Sequence, residues 1–340
     1  MNDILLPDLK IGDTIGIFSP SNPITHDAPY AAMTAERYLT ERGFVVKKGG
    51  CFGKSDSSYR SGNIKQRADE LNELIYDNEV KCIMAAAGGY VSNSILPYID
   101  YEYLKRHPKI ITGLSDVTSV LLAVYKKCGF PVFYGPNFIT SLAHKKYYAD
   151  FAFNSLLKAV NSKGTYIIDN PEFFTDENTD WYKQGDEFDK QIENERLIKN
   201  RLITVNSGVA EGRLIGGNID NFTLLYGKSY CPKIQNGDIL FFEELGVEAD
   251  FFERIIGALY LDGVFDRIGG LILGKIKNYN DIGSGKNLTD FILEITGNPS
   301  FPILADYDCG HTLPINAMPI GKTARLDADN KIVTVIQNNR

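Results

Sequence analysis

The stretch KIITGLSDVTSVLL, residues 109–122, decides the fold class that we predict for this chain. Residues 110–112 are apolar or β-branched and predict a short buried strand, and apolar residues at helical spacing over 117–124 predict a helix. Gly113 begins the tight turn between them. Ser115 lies in that turn, so we expect its hydroxyl at the end of a sheet, beside the backbone amides that begin the helix.

Two roles fit Ser115 on this pattern. A strand–turn–helix junction is the geometry that exposes a nucleophilic serine and supplies part of an oxyanion hole. Serine is also a favoured residue at the start of a helix, where it caps backbone amides. The rest of the chain decides between the two roles.

A repeated order of strands and helices predicts an α/β N-terminal domain, in which a parallel sheet has helices on both faces. The predicted elements are strands at 13–20, 44–46, 81–87, 110–112 and 130–134, with helices at 28–42 and 63–76. Gly88 and Gly89 follow the third strand, and Ser115 follows the fourth. Ligands bind at the carboxyl ends of such strands, so this edge of the sheet is the expected site.

The C-terminal part of the chain predicts a second domain, a mixed, β-rich α/β structure. Its predicted elements are strands at 202–205, 212–215, 239–242 and 269–274, helices at 249–261 and 291–294, and a hairpin at 323–336. Residues 170–200 are polar and acidic, and long loops in compact proteins are often functional. We therefore expect an N-terminal domain at 1–165, a linker or substrate loop at 166–200 and a C-terminal domain at 201–340.

Composition excludes several classes of protein. The net charge of −7 argues against a nucleic-acid-binding surface. The five cysteines are scattered and include no CxxC pair, which suits a reducing compartment better than disulfides or a zinc site. The first ten residues include Asp3 and no long apolar run, which predicts no signal peptide, and no stretch reaches the roughly 18 apolar residues of a membrane span. We expect a cytoplasmic protein with neither a membrane nor a nucleic acid as its partner.

A nucleophilic serine needs a nearby base, and the chain has four histidines. His107 and His144 lie beside lysines and are expected to be solvated, whereas His26 follows the first strand and could line a site. His311 follows an apolar run, and Gly310 before it permits a sharp turn. By elimination, His311 is the best candidate for the base.

The base should in turn be oriented by a carboxylate. Glu243 and Glu244 stand at the end of the apolar strand at 239–242. An acid in this place either orients the base or marks the point where the chain reaches the surface. With Ser115 and His311, the order along the chain is Ser–Glu–His, which is the order in α/β hydrolases.

Other motifs are rejected. Residues 283–286 read Gly-Ser-Gly-Lys, but Asn280 and Asn287 replace the glycine and hydroxyl residues of a phosphate-binding loop. No G-x-G-x-x-G follows the first strand, which disfavours a dehydrogenase. No cluster of histidine, cysteine and carboxylates has metal-ligand spacing, so we predict neither a metal nor a cofactor.

Seven segments in order along the chain resemble the LD-carboxypeptidase family of serine peptidases, which includes muramoyl-tetrapeptide carboxypeptidases and microcin C immunity peptidases. The segments are 13–20, Tyr59–Gly62, Gly88–Tyr90 with 96–100, 113–116, GRLIGGN at 212–218, LFFEE at 240–244 and Gly310–His311. The resemblance implies a Ser-Glu-His triad of Ser115, Glu243 and His311. It also implies an oxyanion hole made by the amide of Asp116 and an amide at Gly88 or Gly89.

Two features favour the immunity-type branch of this family. Ala87 stands where tetrapeptide carboxypeptidases usually have an arginine, and without it recognition of a substrate carboxylate should weaken. Trp181, the only tryptophan, could match a loop tryptophan that stacks on a substrate base, although a lone tryptophan in a polar segment can equally anchor that segment to the core. Tyr90 is a second expected substrate-binding residue.

The resemblance implies a serine peptidase that cleaves an amide bond in a small peptidyl-nucleotide through an acyl-enzyme, and it suggests a homodimer. One alternative is the removal of the terminal D-alanine of murein tetrapeptide. An alternative of another class is a small-molecule-binding protein without catalysis, whose two α/β lobes would surround a cleft.

Overall fold

The computed structural model describes residues 5–297 and 299–337. The predicted absence of a signal peptide concerns the first ten residues, of which 1–4 lie outside the described residues. In the described ranges, no helix combines the length and the apolar composition that a membrane crossing requires.

The strands are short, and most of those in the sheet centres are fully buried. They are β1 Thr14–Phe18, β2 Val45–Lys48, β3 Val80–Ala85, β4 Ile110–Gly113, β5 Val132–Tyr134, β6 Tyr166–Ile168, β7 Phe173–Phe174, β8 Ile198–Lys199, β9 Ile203–Asn206, β10 Val209–Asn218, β11 Ile239–Glu243, β12 Gly270–Gly274, β13 Ile303–Tyr307, β14 Met318–Ile320, β15 Thr323–Asp327 and β16 Ile332–Ile336.

Helices connect the strands and cover the sheets. They are α1 Ile24–Asp27, α2 Pro29–Glu41, α3 Ile64–Tyr76, α4 Tyr101–Arg106, α5 Thr118–Cys128, α6 Phe138–Leu142, α7 Lys146–Asn161, α8 Gly185–Glu193, α9 Ile219–Leu225, α10 Ala249–Leu261, α11 Val264–Arg267 and α12 Leu288–Thr296, with 3₁₀ turns at Ser92–Tyr98 and Ser115–Val117.

The first sheet has the order β14-β5-β4-β3-β1-β2. Its strands are parallel except β14, which is antiparallel to β5. Successive side chains of a strand point to opposite faces. Accordingly, Ile83 and Ile111 enter one core cluster, and Met84 and Ile110 enter the other. Burial on both faces explains why these strands are continuous apolar runs, and it confirms the predicted parallel sheet.

The second sheet has the order β6-β16-β15-β10-β11-β12-β13-β9. Strands β10 to β13 are parallel in its centre, and the flanking strands are antiparallel. This confirms a mixed, β-rich second part, including the predicted hairpin of β15 and β16. The carboxyl ends of β11 and β13 lead to Glu243 and to the loop of His311.

The two sheets exchange strands. Strand β14, near the C-terminus, completes the first sheet beside β5, and β6 joins the edge of the second sheet. The division at residues 165 and 200 stays a prediction. The polar segment between these positions is more ordered than its composition suggests, because β7 pairs with β8 and α8 buries Phe188.

Candidate active site

Ser115 lies at the carboxyl end of β4, in a strained turn. Its φ is 69°, in the left-handed region that residues other than glycine rarely adopt. The Oγ1 of Thr118 donates to its carbonyl at 2.7 Å, and the amide of Leu114 donates to the Oδ1 of Asn137 at 2.9 Å. Helix α5 begins at Thr118 without a side-chain cap. The turn therefore presents Ser115 as an elbow, and the alternative role of Ser115 as the cap of this helix is wrong.

Glu243 and His311 are in direct contact. The Nδ1 of His311 lies 2.6 Å from the Oε2 of Glu243, which is fully buried. A carboxylate only accepts, so the shared proton belongs to Nδ1, and Nε2 of the neutral ring is left as an acceptor. A Cβ on Gly310 would lie 2.6 Å from Oε2, so only glycine lets the His311 loop approach Glu243 this closely.

Two opposing effects set the pKa of His311. Burial disfavours the imidazolium and lowers the pKa, whereas the charge and hydrogen bond of Glu243, with the charge of Glu244, raise it. The net result is a pKa above the usual 6.5. The charge of nearby Lys277 lowers the pKa of His311. Glu244 itself is buried beside Glu243, and this burial and like charge raise the pKa of Glu244 to about 7.

A tyrosine joins the elbow to this acid–base pair. The amide of Ser115 donates to the hydroxyl of Tyr134 at 3.0 Å, and this hydroxyl donates to the Oε1 of Glu243 at 2.5 Å. The structure therefore brings all three predicted catalytic residues into one region. Tyr134 was missed by sequence reasoning, although its place as the last residue of a predicted strand could have pointed to it.

Asn218 is a second residue that sequence reasoning left without a role. It ends β10 within the quoted GRLIGGN segment, and its Nδ2 lies 2.7 Å from the Oε1 of Glu244 and 3.3 Å from the Oε1 of Glu243. The backbone amide of Asn218 donates to the Oγ1 of Thr118 at 3.0 Å. Asn218 therefore holds both carboxylates and ties β10 to the helix that follows the elbow.

Gly88 and Asp116 lie at the elbow. A Cβ on Gly88 would lie 3.1 Å from the amide nitrogen of Asp116 and 3.1 Å from the Oγ of Ser115. The main chain of Asp116 is held by the hydroxyl of Ser92, which donates to its carbonyl at 2.6 Å. Gly89, with φ of 147°, packs on Ser21. The backbone of Gly88 is thus beside the serine hydroxyl.

Trp181 contacts protein side chains. Its ring meets the edge of His144 with centroids 5.1 Å apart, and it lies 6.4 Å from Phe188. The prediction that His144 is solvated is wrong: the side chain is buried, and its Nδ1 lies 2.5 Å from the Oε1 of Glu195. The prediction rested on the neighbouring lysines, whereas the His144 side chain, just before helix α7, faces the buried Glu195. Trp181 therefore anchors the polar segment, whatever else it binds.

Tyr90 and Lys277 lie at the edges of this region. The side chain of Tyr90 is 83% exposed, and its amide donates to the Oγ of Ser21 at 2.9 Å. The Nζ of Lys277 donates to the carbonyl of Glu177 at 2.6 Å, which joins the polar segment to the neighbourhood of His311. Burial lowers the pKa of Lys277. His26 is half-exposed and pairs with Asp27 instead of with the site.

Within residues 5–297 and 299–337, no group of three or more histidine, cysteine or carboxylate side chains could hold a metal ion. The chemistry that this arrangement can perform comes from a hydroxyl, an imidazole, carboxylates and backbone amides.

Family models match both parts of the chain. The LD-carboxypeptidase N-terminal domain matches residues 15–135, and the LD-carboxypeptidase C-terminal domain matches residues 211–326. The chain therefore belongs to the LD-carboxypeptidase family, as its motifs predicted, and it is a serine-type carboxypeptidase by class.

Individual relatives are similar along nearly the whole chain. The microcin C7 self-immunity protein MccF of Escherichia coli is 37% identical over 336 residues, which is 98% of this chain and 96% of that protein. A putative carboxypeptidase of Vibrio cholerae is 39% identical over 95% of this chain and 94% of its own length. The structure of MccF in complex with aspartyl sulfamoyl adenosine superposes with a TM-score of 0.93 at 37% identity, covering 98% of this chain and 99% of that one.

Proposed function

We propose that the chain hydrolyses an amide bond with a Ser-Glu-His triad, in which Ser115 is the nucleophile, His311 the base and Glu243 the residue that orients the base. The observation that carries the proposal is the hydrogen-bonded connection from the Ser115 elbow through Tyr134 to the Glu243–His311 pair. A binding protein without catalysis has no need for a strained serine beside such a pair.

In this mechanism, the Nε2 of His311 takes the proton of the Ser115 hydroxyl as its oxygen attacks the amide carbonyl. Glu243 stabilises the imidazolium that forms, and it keeps the ring in the tautomer with the proton on Nδ1. His311 then returns the proton to the leaving amine. Water, activated by the same imidazole, hydrolyses the acyl-enzyme and frees Ser115.

The oxyanion is stabilised in this proposal by the amide of Asp116 and an amide at Gly88 or Gly89. The contact between Gly88 and the Ser115 hydroxyl supports this assignment. The amide of Ser115 is not included, because it already donates to Tyr134. Losing one donor of an oxyanion hole typically costs about 2.7–4 kcal/mol of transition-state stabilisation.

The proposed substrate is a small peptidyl-nucleotide of the microcin C type, with Trp181 and Tyr90 as substrate-binding residues. Three observations support it: the similarity to MccF, whose structures hold aminoacyl sulfamoyl nucleotides, the alanine at position 87, and the tryptophan on the polar segment. The full exposure of the Tyr90 ring leaves it available to a ligand. Removal of D-alanine from murein tetrapeptide is the alternative that the family itself suggests.

A paired hydrolysis assay tests both the mechanism and the substrate. The protein and its Ser115→Ala variant are given aspartyl sulfamoyl adenosine and, separately, murein tetrapeptide, and the products are identified by mass. Serine-dependent cleavage of aspartyl sulfamoyl adenosine alone supports the full proposal. Release of D-alanine alone indicates that the substrate is a cell-wall peptide. Cleavage of neither substrate, or equal cleavage by the variant, contradicts the triad.

Three further features belong to the same proposal. We propose a homodimer, which the family resemblance suggests and light scattering would test. We propose a cytoplasmic location, from the cysteine pattern and the small-molecule substrate. We also propose the division into domains at 1–165 and 201–340 around a substrate segment at 166–200, which limited proteolysis would test.

A further inference from the structure

Tyr134 is the residue at which the two halves of the candidate site meet. It ends β5, between the strand that leads to Ser115 and β14 from the C-terminal part of the chain. Its side chain is fully buried, and its ring lies 5.7 Å from that of Phe241 in β11. From this position, one hydroxyl contacts both the amide of Ser115 and the carboxylate of Glu243.

The chemistry of the partners fixes the direction of both hydrogen bonds. The Ser115 amide can only donate, and an ionised carboxylate can only accept. The single proton of the Tyr134 hydroxyl therefore points to Glu243, and an oxygen lone pair faces Ser115. Burial, with the nearby charge of Glu243, raises the pKa of Tyr134 well above 10, so the hydroxyl keeps this proton throughout the physiological range.

We propose that Tyr134 is a positioning residue, whose one hydroxyl holds the Ser115 elbow and also sets the charge that Glu243 presents to His311. The inference rests on the proposed function, because it assigns a role within that triad. Tyr134 lies behind Ser115 and Glu243 and acts through them.

The first part of the role concerns the elbow. A residue other than glycine in the left-handed region persists only where the surrounding structure holds it. The Tyr134 hydroxyl accepts from the amide of Ser115, and the Oγ1 of Thr118 donates to its carbonyl, so the strained residue is held on both sides. Loss of the hydroxyl leaves the partly buried amide of Ser115 without this acceptor.

The second part concerns the charge on Glu243. Its Oε2 faces His311, while its Oε1 accepts from Tyr134 at 2.5 Å and from Asn218 at 3.3 Å. A donor on Oε1 withdraws negative charge from the carboxylate. Without the Tyr134 hydroxyl, the longer Asn218 bond remains alone on Oε1, and Glu243 attracts the imidazolium more strongly.

The charged groups that face His311 are Glu243, Glu244 and Lys277. Tyr134→Phe changes none of them in sequence, and among these three groups it alters the hydrogen bonding of Glu243 alone. A rise in the pKa of His311 in this variant therefore reports the contact between Tyr134 and Glu243. General loosening of the fold would weaken both the burial and the pairing with Glu243, and it would return the pKa of His311 toward the usual 6.5, which lies below its value in wild type.

The test compares Tyr134→Phe with Tyr307→Phe, in which another fully buried tyrosine loses a hydroxyl that has no hydrogen-bond partner among the described residues. The substrate is whichever of the two above is cleaved. We expect kcat of Tyr134→Phe to fall about tenfold to a hundredfold, the loss associated with one hydrogen bond to a buried charge, with KM nearly unchanged. The acid limb of its pH profile should move to higher pH, and Tyr307→Phe should behave like wild type.

A second measurement does not depend on turnover. NMR titration gives the pKa of His311 in wild type and in Tyr134→Phe, and a His311→Gln variant assigns the signal. If wild type fails to hydrolyse either substrate, the proposed function is wrong, and a raised pKa in Tyr134→Phe still supports the positioning role. If wild type is active but the variant keeps its kcat, or loses kcat without a rise of this pKa, the positioning role is wrong and the triad stands.

Discussion

Gly88 and Ser115 are in contact across the carboxyl ends of two neighbouring strands. A Cβ on Gly88 would lie 2.8 Å from the Cβ of Ser115, closer than two such atoms ever approach. The glycine is therefore required by the position of Ser115 and not only by the turn in which it lies.

The first prediction follows from this contact. Gly88→Ala should displace Ser115 or the amide of Asp116, and a misplacement of about 1 Å can reduce the rate of a well-aligned reaction by roughly a hundredfold. The measurement is kcat, with circular dichroism to verify folding. Gly164→Ala is the matched control, because a Cβ there meets no atom within 4 Å. Near-wild-type kcat in Gly88→Ala would mean that Gly88 does not constrain the site.

The second prediction distinguishes the backbone strain at Ser115 from the proposed catalytic role of its hydroxyl. Both Ser115→Gly and Ser115→Ala remove the hydroxyl and should abolish hydrolysis. Only glycine adopts a φ of 69° without cost, so Ser115→Gly should have a free energy of unfolding about 1 kcal/mol higher than Ser115→Ala. Urea denaturation of the two variants measures the difference. An alanine variant as stable as the glycine variant would show that the elbow is not strained.

The third prediction concerns pH. In the proposed triad, His311 must be neutral to accept the serine proton, so activity should fall as the pH drops through its pKa, with a midpoint above 6.5. Glu244→Gln removes a charge that raises this pKa, and the midpoint should move to lower pH. The pH dependence of kcat/KM measures both midpoints. A midpoint below 6.5 in wild type would contradict the dominant effect of the neighbouring carboxylates.

The fourth prediction uses the single tryptophan as a probe of the polar segment. His144→Ala removes the edge contact of Trp181 and takes the imidazole from Glu195, which keeps, among the described residues, only the Lys145 amide on its Oε2. Trp181 should become more exposed, which shifts its fluorescence to longer wavelength and increases quenching by acrylamide. His107→Ala is the control, because His107 stacks on Tyr103 away from this segment. An unchanged spectrum in His144→Ala would show that His144 does not anchor the segment.

Sequence reasoning succeeded where the signal is local. Strand β4, the turn at Ser115 and helix α10 were predicted because a few adjacent residues are enough to show a continuous apolar run or helical spacing. The positions of Ser115, Glu243 and His311 near strand ends were also readable, since the first lies in a turn after a strand, the second ends a strand and the third lies in the loop after one.

The failures have a common physical cause. His144 and Glu195 are 51 residues apart, and the residues next to His144 in sequence do not indicate that it has a buried carboxylate partner. The pairing of Tyr134 with Glu243 joins residues separated by 109 positions. Such contacts are decided by how distant segments of the chain pack together, so they become visible only in the folded chain.

Strand β14 has a consequence for the order of events during synthesis. Because Met318–Ile320 covers β5, the nascent first sheet has an open edge at that strand until almost the entire polypeptide exists. An open edge is a template for pairing with another chain. The residue that ends this edge is Tyr134, so the pairing that completes the first sheet also covers the strand end that connects Ser115 with Glu243.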